Sequence, residues 1–170
     1  MHYTLQAEEP AHAAGIEEVL NRAFGPGRFA KTSERVRERG ARPRPSLSRV
    51  AVREDGSVAG VCRIFSVEAG GASLLFLGPL AVDPVAQHVG LGADLVRACL
   101  AAGRAAAENG VVCVGAAAFF EPLGFSIVPQ GQLTMPGPVD PQRFLWAALQ
   151  PGGLDRIAGA ITAPRAASPA

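Results

Sequence analysis

The feature that most limits what this chain can fold into is a crossover. An apolar run from Ser73 ends at Val82, a helical pattern follows from Gly90 to Glu108, and "VVCV" occupies 111–114. Leu91, Leu95, Cys99 and Ala102 recur on one helical face, whereas Asp94, Arg97, Arg104 and Glu108 fall on another. Asn109-Gly110 stops that helix, and the four apolar residues beyond it are too few and too uniform for anything but a buried strand. Strand, helix and buried strand close as a right-handed unit, so the strands ending at Val82 and Val114 are expected to run parallel.

Upstream, the pattern predicts an antiparallel meander. Strands are expected at Leu47 to Arg53, Val58 to Val67 and Ser73 to Val82, joined by tight turns at "EDGS" and "AGG". The third strand contains Gly78 and Pro79. Proline has no amide hydrogen to give a ladder, so a bulge or a break in pairing is expected there. Before the meander come a short strand at His2 to Gln6, an amphipathic helix carrying Ile16, Val19, Leu20, Ala23 and Phe24, and a charged helix over Thr32 to Arg39. "ARPRPS" reads as a linker. After the crossover, "AAAFFEPLGF" predicts a short helix ended by Gly124, and Phe144 to Leu149 a last strand. The expected fold class is α+β: a mixed central sheet, with an antiparallel meander followed by a βαβ unit with one parallel join, flanked by helices.

The 170 residues, 48% of them hydrophobic, suit a single domain, expected over 1–160, with 161–170 as a disordered tail. A net charge of +1 gives no reason to expect a nucleic acid partner. The basic residues are nevertheless uneven, with eight Lys or Arg against two Glu between Arg28 and Arg49. That segment is either a solvated face or an attractor for an acidic ligand. Cys62, Cys99 and Cys113 lack metal or redox spacing and read as reduced core thiols, and the three histidines are scattered, so no metal is expected. No apolar run approaches the roughly 20 residues that span a bilayer. With no leader pattern in "MHYTLQAEEP", the expectation is a cytoplasmic protein without a membrane partner.

Two glycines, Gly90 and Gly92, stand where the crossover helix begins. A helix N-terminus offers unpaired N–H groups and a partial positive charge, so glycines there either make a tight turn or clear the approach of a phosphate. A dinucleotide-binding unit requires a third glycine where Leu95 stands, and a P-loop requires Gly-Lys-Ser/Thr; neither is present. With Gln87-His88-Val89-Gly90-Leu91-Gly92, "LGPLAVDP" before it and "GF" after a short aromatic helix, the sequence resembles the GNAT superfamily of acyl-CoA-dependent N-acetyltransferases. The signature of that superfamily at this junction is Gln/Arg-x-x-Gly-x-Gly/Ala, and the order of elements resembles its fold from about residue 3 to 149. The resemblance implies a GNAT-like sheet in which the bulged strand splays from the buried parallel strand, with acetyl-CoA, the acyl donor, in the gap. It implies donor contacts from the backbone of Leu80, Ala81 and Val82, from the loop Gln87, His88, Val89, Gly90, Leu91, Gly92 and Ala93, and from Phe120.

Three departures from the superfamily pattern stand out. His88 and Val89 occupy loop positions that usually include a basic residue. Phe119 and Phe120 stand where many members have a tyrosine acting as general acid. "SLLFLGPLAV" lacks the carboxylate often found on the central strand, leaving Glu68 and Glu121 as neighbouring candidates for a base or as plain surface carboxylates. No residue is therefore assigned a catalytic role. The resemblance implies transfer of an acetyl group to a primary amine by direct attack in a ternary complex, the acceptor being a small molecule or a peptide, in a protein compatible with a homodimer. The alternative is a non-catalytic acyl-CoA-binding or protein-interaction module on the same fold.

Overall fold

The computed structural model describes residues 2–27, 32–87 and 89–165. The meander forms as expected: β3 (Arg49–Arg53), β4 (Val58–Ala69) and β5 (Ala72–Val82) pair antiparallel in turn. Gly70 and Gly71 make the β4 to β5 turn with φ of +58° and +82°, the left-handed pair that a two-residue hairpin with matching twist requires. The helix α3 (Leu91–Ala105) then returns the chain to β6 (Gly110–Val114), which pairs parallel with β5 through Leu75↔Val111 and Phe76↔Val112. β1 (Tyr3–Ala7) closes one side of the sheet on β3, and β9 (Phe144–Ala148) pairs antiparallel with β6.

Several short elements were not expected. β2 (Arg42–Pro43) lies inside the expected linker and pairs with Ser66 and Phe65 of β4. β7 (Ser126–Ile127) pairs with β9, and β8 (Leu133–Thr134) with β10 (Gly159–Thr162). Strands of two residues are too short to show the alternation by which strands are recognised. β10 also crosses the expected domain boundary at residue 160, because Ile161 and Thr162 pair with Ala69 and Glu68. Residues 166–170 of the expected tail lie outside the described residues. The crossover helix stops three residues early: Ala107 takes φ +57°, the Glu108 amide turns back to the Gly103 carbonyl, and Glu108 pairs with Arg44 at 2.7 Å.

Helices cover both faces of the sheet. On one face Leu91, Leu95, Val96, Cys99 and Leu100 of α3 join Ala59, Cys62, Ile64 and Cys113 in a single apolar cluster. Burying each leucine of that stripe contributes about 1.5–3 kcal/mol. The three thiols are all buried, and burial holds Cys113 well above its ordinary value, as suits inert core residues. On the other face α1 (Ala13–Phe24) sets Ile16, Val19 and Leu20 against Val50, Val61 and Ala81, while α2 (Thr32–Glu38) inserts Val36 beside Phe65 and Phe76. No helix among the described residues is long and apolar enough to cross a membrane.

The junction between β5 and α3 hangs on Asp83. This residue is 2% exposed and caps the 3-10 turn Pro84–Ala86 by accepting from the Val85 amide. Its other carboxylate oxygen meets Arg22 of α1 and Arg53 of β3, each at 3.1 Å. Burial alone would raise the Asp83 carboxyl, but the Val85 amide and the two guanidinium groups outweigh it and hold the group below the ordinary carboxylate range. Asp83→Asn is expected to lower stability by about 1.5–3 kcal/mol at neutral pH, measured as a shift in urea midpoint. A carboxyl held below its ordinary value stabilises the fold above that value and ceases to do so once protonated. The difference between the two proteins should therefore shrink as pH falls below about 4, and equal midpoints at pH 7 would show that Asp83 is not the hub.

Candidate active site

β5 and β6 start as neighbours and then part. After Leu77 the β4–β5 register slips, pairing Ile64 with Leu77 but Cys62 with Leu80, so Gly78 and Pro79 together oppose Arg63. This is the expected bulge; Gly78 takes φ +134° there, and the Gly78-Pro79 peptide is cis. Beyond it β5 stays with β4 while β6 continues with β9, and a gap opens between the two parallel strands. The Asp83 amide bonds to the Ala59 carbonyl, and backbone groups alternate in direction along an antiparallel strand. Ala81 is therefore turned to β4, whereas the backbone groups of Leu80 and Val82 face the gap. Of the three residues expected to offer backbone there, Ala81 does not. The Val82 carbonyl already accepts the Gln87 side chain at 3.3 Å.

The helix start lies at the end of this gap. Gly90 is its N-cap in the left-handed conformation, φ +81°, and a Cβ built on it meets nothing within 4 Å. The first helical bond joins the Asp94 amide to the Gly90 carbonyl, so the amides of Leu91, Gly92 and Ala93 are left without a partner inside the helix. A Cβ on Gly92 would stand 3.6 Å from Phe119 and 3.7 Å from Val82, which leaves room for a methyl group and little more. Buried Leu91 anchors the turn while Val89 is exposed. His88 lies outside the described residues.

On the other side of the bulge a cavity of about 650 Å3 opens between α1, α2 and the segment 138–143. Its walls include Leu20, Phe24, Phe76, Pro79, Leu80 and Val139, with Phe120 at the far end of β6. Phe120 is the last residue of α4 (Ala117–Phe120), 5% exposed, and its ring stands edge-on to Phe119 at 4.9 Å and to Phe125 at 5.1 Å. Phe119 points instead toward Gly92, so the two phenylalanines serve different regions. Neither carboxylate singled out from the sequence reaches the cavity. Glu68 sits near the β4–β5 turn, where it meets Arg165, and Glu121 is exposed in the turn after α4. The carboxylates lining the cavity are Glu17, Glu34 and Asp140. Glu17, Leu20 and Phe24 follow helical spacing, the signal by which this face of α1 is visible in the sequence.

The basic segment is dispersed. Arg35 and Arg39 are exposed, Arg44 pairs with Glu108, and Arg37 alone of these enters the cavity wall. Arg28 and Lys31 lie outside the described residues. No group of three His, Cys, Asp or Glu is assembled as metal ligands among the described residues.

Residues 46–127, which take in the meander, the bulge, the glycine loop, α3 and the aromatic turn, match the family of the acetyltransferase (GNAT) domain. Over that span the chain carries the features of a GNAT acetyltransferase domain. Its likeness to individual members extends past that span. The chain is 28% identical over 159 residues to the uncharacterized N-acetyltransferase YhbS of Escherichia coli K12, covering 92% of this chain and 93% of the relative. The crystal structure of E. coli YhbS in complex with CoA superposes with a TM-score of 0.81 at 26% identity, over 96% of this chain and 90% of that one. A GNAT family acetyltransferase from Brucella melitensis in complex with acetyl-CoA gives 0.61 at 29% identity, over 85% and 94%.

Within this candidate site, Gly115 fixes the aromatic wall. A Cβ there would fall 2.3 Å from Phe120 Cε2, and the ring is hemmed in by Phe119 and Phe125. Gly115→Ala is expected to cost about 1–3 kcal/mol, read from thermal unfolding. An unchanged midpoint would mean that Phe120 is not confined as described.

Proposed function

We propose that this protein transfers the acetyl group of acetyl-CoA directly to a primary amine, carried on a small molecule or a peptide. The observation supporting this reading is the continuous path from the unpaired amides at the start of α3, along the β5–β6 gap, to the cavity beside the bulge. The amides of Gly90 to Ala93 receive the pyrophosphate, where a carboxylate in place of Gly92 would not be tolerated. Leu80 and Val82 bond to pantetheine from their free edge, as an added strand would. The YhbS and Brucella structures, solved with CoA and acetyl-CoA, support the choice of donor.

In the transfer step the amine nitrogen bonds to the thioester carbonyl carbon, the Leu80 amide donates to the oxygen as it gains charge, and the carbon–sulfur bond breaks to release thiolate. The nitrogen gives up its proton to water as the amide forms. No covalent enzyme intermediate is required, and holding two reactants together supplies much of the acceleration. Phe120 walls the site and has no proton to give. A CoA thiol resembles a free cysteine, with a pKa of roughly 8.5, so the thiolate departs tolerably near neutral pH and takes its proton from water.

Purified protein is expected to release free thiol from acetyl-CoA when presented with a panel of tyramine, spermidine, glycine amide and a lysine-containing peptide. Binding of CoA without turnover on any acceptor would favour the non-catalytic module. Gly92→Glu is expected to abolish CoA binding by calorimetry while leaving the fold intact; unchanged affinity would remove the helix start from the site. Phe120→Tyr is expected to raise kcat by about a hundredfold or less, the low end of general acid assistance, with acetyl-CoA affinity nearly unchanged. A wild-type rate that neither Phe120→Tyr nor Phe119→Tyr alters would mean that another group already supplies the proton.

A further inference from the structure

α2 reaches the bulge through one side chain. Arg37 Nη1 donates to the Gly78 carbonyl at 3.2 Å, Nη2 pairs with the Glu34 carboxylate, and the guanidinium carbon lies 5.7 Å from the centre of the Phe65 ring. The side chain is only 14% exposed. Each contact answers a local need. The ladder passes from Leu77 to Leu80 without pairing Gly78 or Pro79, so the Gly78 carbonyl is taken by Arg37 instead. Glu34 and the Phe65 face fix the guanidinium plane, an arrangement that suits arginine and not lysine. Val36, buried beside Phe65 and Phe76, seats α2 on the sheet and keeps the lever short. Arg63, on the strand facing the bulge, is engaged with Glu8 by both Nε and Nη2, leaving Arg37 as the side chain on Gly78 among the described residues.

We infer that Arg37 is a positioning residue: it fixes the bulge and so the direction of the Leu80 amide, and it acts on turnover and not on acetyl-CoA binding. This rests on the acetyl-transfer reading above. Gly78, at φ +134°, lacks a side chain to limit its rotation, and only Pro79 separates it from Leu80. A small turn of that peptide redirects the Leu80 N–H. The amide is needed most when the carbonyl oxygen becomes an oxyanion, so its misdirection falls on kcat. The pyrophosphate contacts sit at the start of α3 and do not depend on α2.

The test uses the full chain with acetyl-CoA and whichever amine of the panel is turned over fastest. Arg37→Met is expected to lower kcat about 10–100-fold, with the acetyl-CoA KM and the calorimetric CoA Kd within about twofold of wild type. Arg37→Lys should recover only a small part of the loss, and Glu34→Gln should show a milder fall of the same kind. The Leu80 amide cross-peak of the CoA-bound protein should shift in Arg37→Met. An unchanged kcat in folded Arg37→Met overturns the inference, as does a loss matched by weaker CoA binding or confined to the amine KM. If Arg37→Met fails to fold, unchanged kcat in Glu34→Gln overturns it. A wild-type protein that acetylates none of the amines defeats the functional reading and this inference together, whereas an active wild type with an indifferent variant defeats this inference alone.

Discussion

A proline in a central strand governs this structure. Pro79 lies in β5, which has neighbours on both sides, and it has no amide hydrogen to complete a ladder. Pairing with β6 ends at Phe76, just before the Gly78-Pro79 step, and pairing with β4 survives only by slipping one residue. Everything proposed for the site follows from that break. If β5 and β6 remained zipped to Val82 and Val114, Leu80 and Val82 would bond to β6 and offer nothing to a ligand.

Opening a sheet at its middle exposes backbone groups and removes cross-strand packing, and the surroundings compensate at both ends of the gap. At the near end, Gly78 is met by Arg37 from α2. At the far end, Asp83 ties the outgoing chain to α1 and β3 through two arginines while capping the turn that aims α3. α1 lies against Val61 and Ala81 on one face of the bulged pair, and α3 sets Leu95 and Cys99 against the other. The gap is thus held open by charged contacts at its ends and by apolar packing above and below. Such a gap stays a fixed feature of the fold, and its edges need not be ordered when a ligand arrives.

How much of this was legible in the sequence depends on the range of the interaction. The crossover was legible because a 3.6-residue stripe and an apolar tetrapeptide are local patterns, and the bulge because proline's missing amide is a property of one residue. Gly90 and Gly92 were legible as a bare helix start for the same reason. The partners that brace the candidate site were not. Arg22 lies 61 residues from Asp83, and Arg37 lies 41 from Gly78, so no spacing rule connects them. Glu68 and Glu121 looked promising because they are near the motif along the chain, yet the carboxylates in the cavity arrive from α1, α2 and the segment before β9. β2, β7, β8 and β10 escaped because strands of two to four residues owe their existence to an edge built elsewhere.

The aromatic end of the cavity carries the argument about chemistry one step further. Phe120 is packed against Phe119, Phe125 and the bare backbone of Gly115 at the cavity wall. A tyrosine there would add a donor at the cavity wall. Phenylalanine leaves that part of the wall apolar. In the proposed reaction an apolar wall strengthens the interaction between a developing oxyanion and the amide aimed at it, because fewer polar groups compete for the charge. The same wall does nothing for the departing sulfur, which is acidic enough to leave unaided near neutral pH. In the proposed reaction, catalysis is carried by placement of the acyl group and by one backbone donor, and the contacts that hold the bulge bear on it more than a titrating side chain does.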